Sequence, residues 1–204
     1  MRYFITAIHT DSGKTLVSAI VTHALQADYW KPIQCGSPKD KDTVASLLQS
    51  RHSIIFDESY FLKEPASPHA AAALENIRID LKNVHLPENG GNTLVIEGAG
   101  GIMVPLNEKD FVIDIAEKFN AEVILVSNIY LGSINHTVLT INELKRRNVK
   151  VKGVIFNGSE NKATEEYILN YSGYRCLLKI RPEPEINAGV VNKYALKLVE
   201  NWDE

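Results

Sequence analysis

Cysteine is scarce: Cys35 and Cys176 are the only two in 204 residues, too few and too far apart for a disulfide framework or a zinc site. That scarcity fits a reducing compartment, so a cytoplasmic location is expected. Long apolar runs are missing too. No stretch of 18 apolar residues occurs, and no membrane span is expected. Arg2 is the only charged residue before the first apolar run, which is too short for the core of a secretion signal. There is no excess of positive charge: 22 Lys and Arg face 25 Asp and Glu, a net charge of −3, without a basic block. Nucleic acid is therefore not expected as a partner. Repeats, low-complexity tracts and linkers are also lacking, and the 45% hydrophobic content is that of an ordinary globule, so residues 1–204 are read as one domain.

What is present begins at the amino terminus. The apolar run Tyr3-Phe4-Ile5-Thr6-Ala7-Ile8 leads through His9-Thr10-Asp11-Ser12 to Gly13-Lys14-Thr15, after which Leu16, Val17, Ile20, Val21 and Leu25 follow helical spacing. This is strand, loop and helix, with Gly-Lys-Thr where the helix opens. Free N–H groups and the positive dipole end favour phosphate there. Gly13 lets the backbone approach the phosphates, Lys14 supplies charge for the β and γ oxygens, and the Thr15 hydroxyl is placed for Mg²⁺. The first glycine usual in such loops is replaced by Ile8.

Further along, apolar runs alternate with helical patterns, which points to an α/β fold, a mostly parallel sheet flanked by helices. Strands are expected at Tyr29–Ile33, Thr93–Ile96, Val123–Val126, Val151–Phe156 and Cys176–Leu178. Helices are expected from Lys41 to Gln49, from Pro68 with Ser67 as N-cap, and over Phe111–Phe119, Ser133–Arg147, Lys162–Leu169 and Val190–Val199. The stretch from Arg78 to Asn92 is ambiguous. In such sheets ligands bind beyond the carboxyl ends of the strands, and polar and glycine residues gather there. Glu97 ends an apolar strand, where a phosphate-loop protein directs a carboxylate toward Mg²⁺; Asp42 is the expected second acid. Lys31, before Pro32, is expected to point into the same cleft as Lys14, which a polyanion between the two ammonium groups would favour. The Asn157 amide suits the edge of adenine, as Asn157-Gly158 also suits a plain turn.

Taken in order, these residues resemble the ATP-dependent dethiobiotin synthetases, phosphate-loop enzymes of biotin synthesis. The likeness runs through Thr10-x-x-Gly13-Lys14-Thr15, Lys31-Pro32-Ile33 with Cys35-Gly36-Ser37, Glu64-Pro65-Ala66-Ser67-Pro68-His69, Glu97-Gly98-Ala99-Gly100-Gly101 and Leu131-Gly132-Ser133-Ile134-Asn135-His136, then Asn157. The resemblance implies a homodimeric, Mg²⁺-dependent ligase acting on 7,8-diaminopelargonate, CO₂ or bicarbonate, and ATP. In this family a carbamate attacks the γ-phosphate, and the second amine then closes a cyclic urea. It implies nucleotide contacts at Asp11, Ser12, Gly13, Lys14, Thr15, Leu16, Asp42, Glu97, Gly98, Ala99, Gly100, Asn157 and Gly158, with Thr15, Asp42 and Glu97 on the metal. It implies catalytic roles for Thr10, Lys14 and Lys31, and substrate contacts at Thr10, Lys31, Cys35, Ser67 and Gly100. Gly132, Ser133 and Asn135 of the partner chain would hold the substrate's carboxylate tail.

Four positions depart from the family pattern: Ala7 for glycine, His9 for an acid, Cys35 for a hydroxyl residue and Tyr130 for lysine. His9 would add a cation beside phosphates when protonated, or simply face solvent. His69 and His136 are read as structural. Two other functions remain open. One is a partitioning or cell-division switch ATPase, whose loop carries a further lysine near its start; Ile8, His9 and Thr10 stand there instead. The other is a nucleotide sensor without catalysis. The retained Lys14, Thr15, Lys31, Asp42 and Glu97 favour the ligase.

Overall fold

In the computed structural model, which describes residues 1–48 and 52–202, seven parallel strands form one sheet covered by helices on both faces. The strands are β1 (Arg2–Ala7), β2 (Asp28–Trp30), β4 (Ile55–Phe56), β6 (Leu94–Gly101), β7 (Glu122–Asn128), β8 (Val151–Asn157) and β9 (Cys176–Ile180). Their spatial order is β4-β2-β6-β1-β7-β8-β9, so the chain moves one way from the central β1 and later returns to fill the other side. β3 (Ile33–Cys35) and β5 (Tyr60–Leu62) make a separate two-stranded parallel sheet.

The central strands are buried on both faces, hence their continuous apolar runs. One face packs Phe4, Trp30 and Ile96 against α3 (Pro68–Leu74), α4 (Ile113–Lys118), α5 (Ser133–Arg146) and α6 (Lys162–Ser172). The other packs Ile5, Tyr29 and Val95 against α1 (Lys14–Leu25), α2 (Asp40–Leu47) and α7 (Ala188–Glu200). A fully buried ring such as Phe4 is worth roughly 3–5 kcal/mol against alanine. Among the described residues no helix is long and apolar enough to cross a membrane.

Several boundaries differ from expectation. The single strand expected over Tyr29–Ile33 is two: the β2–β6 ladder stops at Trp30, because Pro32 has no N–H to continue it, and the chain resumes as β3 in the small sheet. β6 runs on to Gly101 rather than ending at Ile96. The helix expected from Phe111 begins at Ile113, since Phe111 bridges back to Pro105. Ser67 does cap α3 by position, yet its hydroxyl bonds His69 Nδ1 at 3.2 Å instead of a backbone N–H. Gln49, the expected end of α2, and the acidic Asp203 and Glu204 lie outside the described residues.

Candidate active site

β1 ends in a loop that turns directly into α1. Gly13 sits there at φ +92°, and a Cβ built on it would stand 2.3 Å from Asn157 Nδ2. Glycine is thus required by backbone conformation and by the Asn157 side chain, beyond any need of a phosphate. Asn157 Nδ2 donates to the Ser12 carbonyl at 2.9 Å, tying the loop to the end of β8. The Ser12 side chain turns inward, donating to the His9 carbonyl and to Asn128 Oδ1. His9 stands edge-on to Tyr130, and its Nε2 accepts from Asn128 Nδ2 at 3.2 Å.

The adjacent ladders bring distant residues beside this loop. Trp30 is registered with Ile96 across β2 and β6, so Lys31 and Glu97 follow side by side at the strand ends. Glu97 is 1% exposed and accepts three hydrogen bonds: Thr15 Oγ1 at 3.2 Å and Lys31 Nζ at 3.4 Å on Oε1, Tyr29 OH at 2.9 Å on Oε2. Lys31 also pairs with Asp40. Burial works against the Lys31 ammonium, but Glu97 and Asp40 more than reverse it and hold its pKa above the ordinary lysine value. Lys14 goes the other way: burial leads, Lys31 adds to it, and Glu97 and Asp40 do not make up the difference, so its pKa is lowered. Lys14 Nζ meanwhile rests on the His9 carbonyl at 3.3 Å.

These groups line one cavity of about 700 Å³. Thr10, Asp11, Gly13, Lys14, Thr15, Lys31, Cys35, Ser67, Glu97, Ala99 and Gly100, all singled out from sequence, reach it. Asp42 does not. It lies two residues into α2, about 200° round the helix from Asp40, and points to solvent, while Asp40 faces the cavity. Gly98 is not a cavity residue either: it is buried where a Cβ would strike the Phe4 ring at 2.8 Å. Leu16 packs into the α1 face of the core. Ser12, Asn157 and Gly158 stand beside the cavity rather than in its lining. Gly132 and Asn135 line a different cavity at the start of α5, and Ser133 is buried there.

Two participants escaped the sequence reading. Tyr29, an ordinary strand tyrosine by pattern, holds Glu97 in place; no local signal marks it, because the contact depends on its register opposite Val95. Gln34 lines the cavity, and its Oε1 accepts from the Asp40 N–H at 3.3 Å, serving the first turn of α2, whose own N-cap Lys39 offers no side-chain bond. Burial raises the Cys35 thiol to about 11, which keeps it protonated and inert.

A family model described as an AAA domain matches residues 1–189. The ATP-dependent dethiobiotin synthetase of Cytophaga hutchinsonii is 59% identical over 100% of this chain and 99% of its own length. The chain belongs to the dethiobiotin synthetase family. The synthetase of Christiangramia forsetii is 47% identical over 96% of this chain and 94% of its own. A ParA family ATPase from Chlorobium tepidum superposes with a TM-score of 0.60, covering 98% and 95% of the two chains, at 11% identity. That likeness shows the α/β fold alone. The partitioning-type reading shares the fold, while the sequence identity lies with the synthetases.

Proposed function

We propose that this chain is an ATP- and Mg²⁺-dependent ligase that joins CO₂ to 7,8-diaminopelargonate and closes the ring of dethiobiotin. Residues 1–204 act in this reading as one phosphate-loop unit, in the cytoplasm, as a homodimer. The observation that carries it is the convergence of Lys14, Thr15, Lys31 and Glu97 on one cavity, with membership of the synthetase family.

A carbamate formed from one amine and CO₂ is already an anion. Its oxygen attacks the γ-phosphorus, ADP leaves, and the second amine displaces phosphate from the mixed anhydride to close the urea. An anionic nucleophile needs positioning and positive charge rather than a strong base. Lys31, kept charged by its acidic neighbours, faces the carbamate together with Thr10. Lys14 leaves the His9 carbonyl for the β and γ oxygens. Cys35, Ser67 and Gly100 line the substrate side. Gly132, Ser133 and Asn135 open α5, where free N–H groups suit the carboxylate tail of a substrate bound to the partner chain. Asn157 reads the base.

The donors fit magnesium. Thr15 and Glu97 offer hard oxygens 3.2 Å apart, with Asp40 as the second acid in place of Asp42. Among the described residues no three His, Cys, Asp or Glu are grouped to hold a metal alone, so phosphate oxygens and water would complete the shell. Bound there, the ion neutralises charge on the transferring phosphoryl group.

Labelled bicarbonate, ATP, Mg²⁺ and the diamine should give labelled cyclic urea, with phosphate release that depends on the diamine. Phosphate release that ignores the diamine and responds to a protein or DNA partner would point to a switch ATPase. ATP binding without any phosphate release would point to a sensor.

A further inference from the structure

Away from the lysine-rich cavity, α6 buries an acid that the mechanism does not use. Glu165 is 1% exposed; its Oε1 accepts from Arg181 Nη1 at 2.9 Å, and its Oε2 pairs with Lys179 at 2.7 Å. A carboxylate taken out of water is costly even when paired, and apolar residues would pack the helix at less expense. Its effect is to fix Arg181. The same Nη1 donates to the Gly158 carbonyl at 3.3 Å, the Gly158 N–H donates to the Ile180 carbonyl at 3.0 Å, and the Arg181 N–H donates to Tyr194 OH at 3.0 Å. The carboxyl ends of β8 and β9 are thereby cross-tied one residue beyond Asn157.

Location gives this tie a use. Lys31, Glu97 and Asp40 lie on the β2 and β6 side of β1, and the cavity opens there. A triphosphate laid along Gly13–Thr15 with its γ end in that cavity sends its nucleoside to the opposite side, over β7, β8 and β9. The residue waiting there is Asn157, which spends one amide proton on the phosphate loop and whose Oδ1 accepts no hydrogen bond among the described residues. We propose that the buried Glu165–Arg181 pair is the positioning device of the nucleoside end of the site, holding the ends of β8 and β9 at the spacing that admits a base beside Asn157. Glu165 acts through Arg181 and touches neither nucleotide nor substrate. The inference rests on the nucleotide-binding part of the proposed function and not on the ligase chemistry.

The test is equilibrium binding by titration calorimetry, with Mg²⁺ present, of ATP and of inorganic tripolyphosphate, which lacks a nucleoside. Wild type is compared with Glu165→Gln and Arg181→Ala; the latter leaves Glu165 paired with Lys179, so it reads out even if the former fails to fold. Both folded variants should lose about tenfold in ATP affinity while tripolyphosphate affinity stays within about twofold. Equal losses for the two ligands would reveal a merely structural tie and overturn the proposal, as would unchanged ATP affinity in either folded variant. A wild-type chain that binds no ATP overturns the nucleotide reading itself. One that binds ATP but forms no cyclic urea removes only the ligase reading and leaves this proposal to be decided by the same ratio.

Discussion

On the β2 and β6 side of the central strand the site is built from ionised groups: buried Lys31 pairs with buried Glu97 and half-buried Asp40, Lys14 lies buried beside them, and Tyr29 steadies Glu97. On the β7 and β8 side it is built from neutral amides and backbone, with Asn157, Asn128 and Ser12 tying the loop down at 2.9 Å contacts. Coulomb interactions fall off slowly with distance, so the first side tolerates a range of phosphate geometries once its charges are held. Hydrogen bonds between neutral groups fail within a few tenths of an ångström, so the second side selects by fit. A single loop, 9–13, joins a half that supplies force to a half that supplies alignment.

The sharpest way to break that contrast is to remove charge. Lys31→Ala and Lys14→Ala should each lower turnover by roughly 10²-fold or more, as expected for loss of a group stabilising developing charge. For Lys31→Ala, steady-state phosphate release with the diamine should fall much further than ATP affinity. Normal turnover in that variant would take Lys31 out of the chemistry.

Next in size is the choice between two acids. Asp40→Asn should raise the Mg²⁺ concentration needed for half-maximal activity by about tenfold, whereas Asp42→Asn, facing solvent, should shift it by less than about twofold. A titration of activity against Mg²⁺ decides, and the reverse order would mean that α2 turns when nucleotide arrives.

On the neutral side, Asn157→Ala should weaken ATP by about 3–10-fold, the worth of a hydrogen bond, and weaken tripolyphosphate less. Equal losses would assign Asn157 wholly to loop support through Ser12.

The smallest effect is a pH slope. Burial, with help from Lys31, lowers the Lys14 pKa from 10.5 in the free chain, while bound phosphate favours its ammonium. Binding therefore takes up a proton wherever free Lys14 is partly neutral. ATP affinity should fall, by at most about tenfold per pH unit, as pH rises through that lowered pKa somewhere below 10.5. Lys31, shifted upward, stays charged over the same window. Lys14→Arg should flatten the slope in calorimetric titrations, since a guanidinium does not deprotonate there.

Much of this was legible in advance. Period-two and period-3.6 patterning, the Gly13-Lys14-Thr15 turn and the apolar strands are local signals, each decided by neighbours a few residues away. They marked the α/β fold, the phosphate loop, and Lys31 and Glu97 as strand-end residues. Misplaced features share a cause. Gly98 reads like a loop glycine but is a packing glycine under Phe4, and Asp42 reads like the equal of Asp40 until the rotation of α2 separates them.

By itself, then, the order of residues determined which segments become strands and helices and which end of the sheet carries polar chemistry, because those depend on short-range sterics and hydrophobic period. The tertiary structure alone decided who meets whom. Lys31 and Glu97 are 66 positions apart, and Asn157 and Ser12 are 145, and only the parallel register of β2 on β6 and the placement of β8 beyond β7 set their distances. Such pairings come from sheet assembly as a whole, in which a one-residue slip would turn every side chain to the other face.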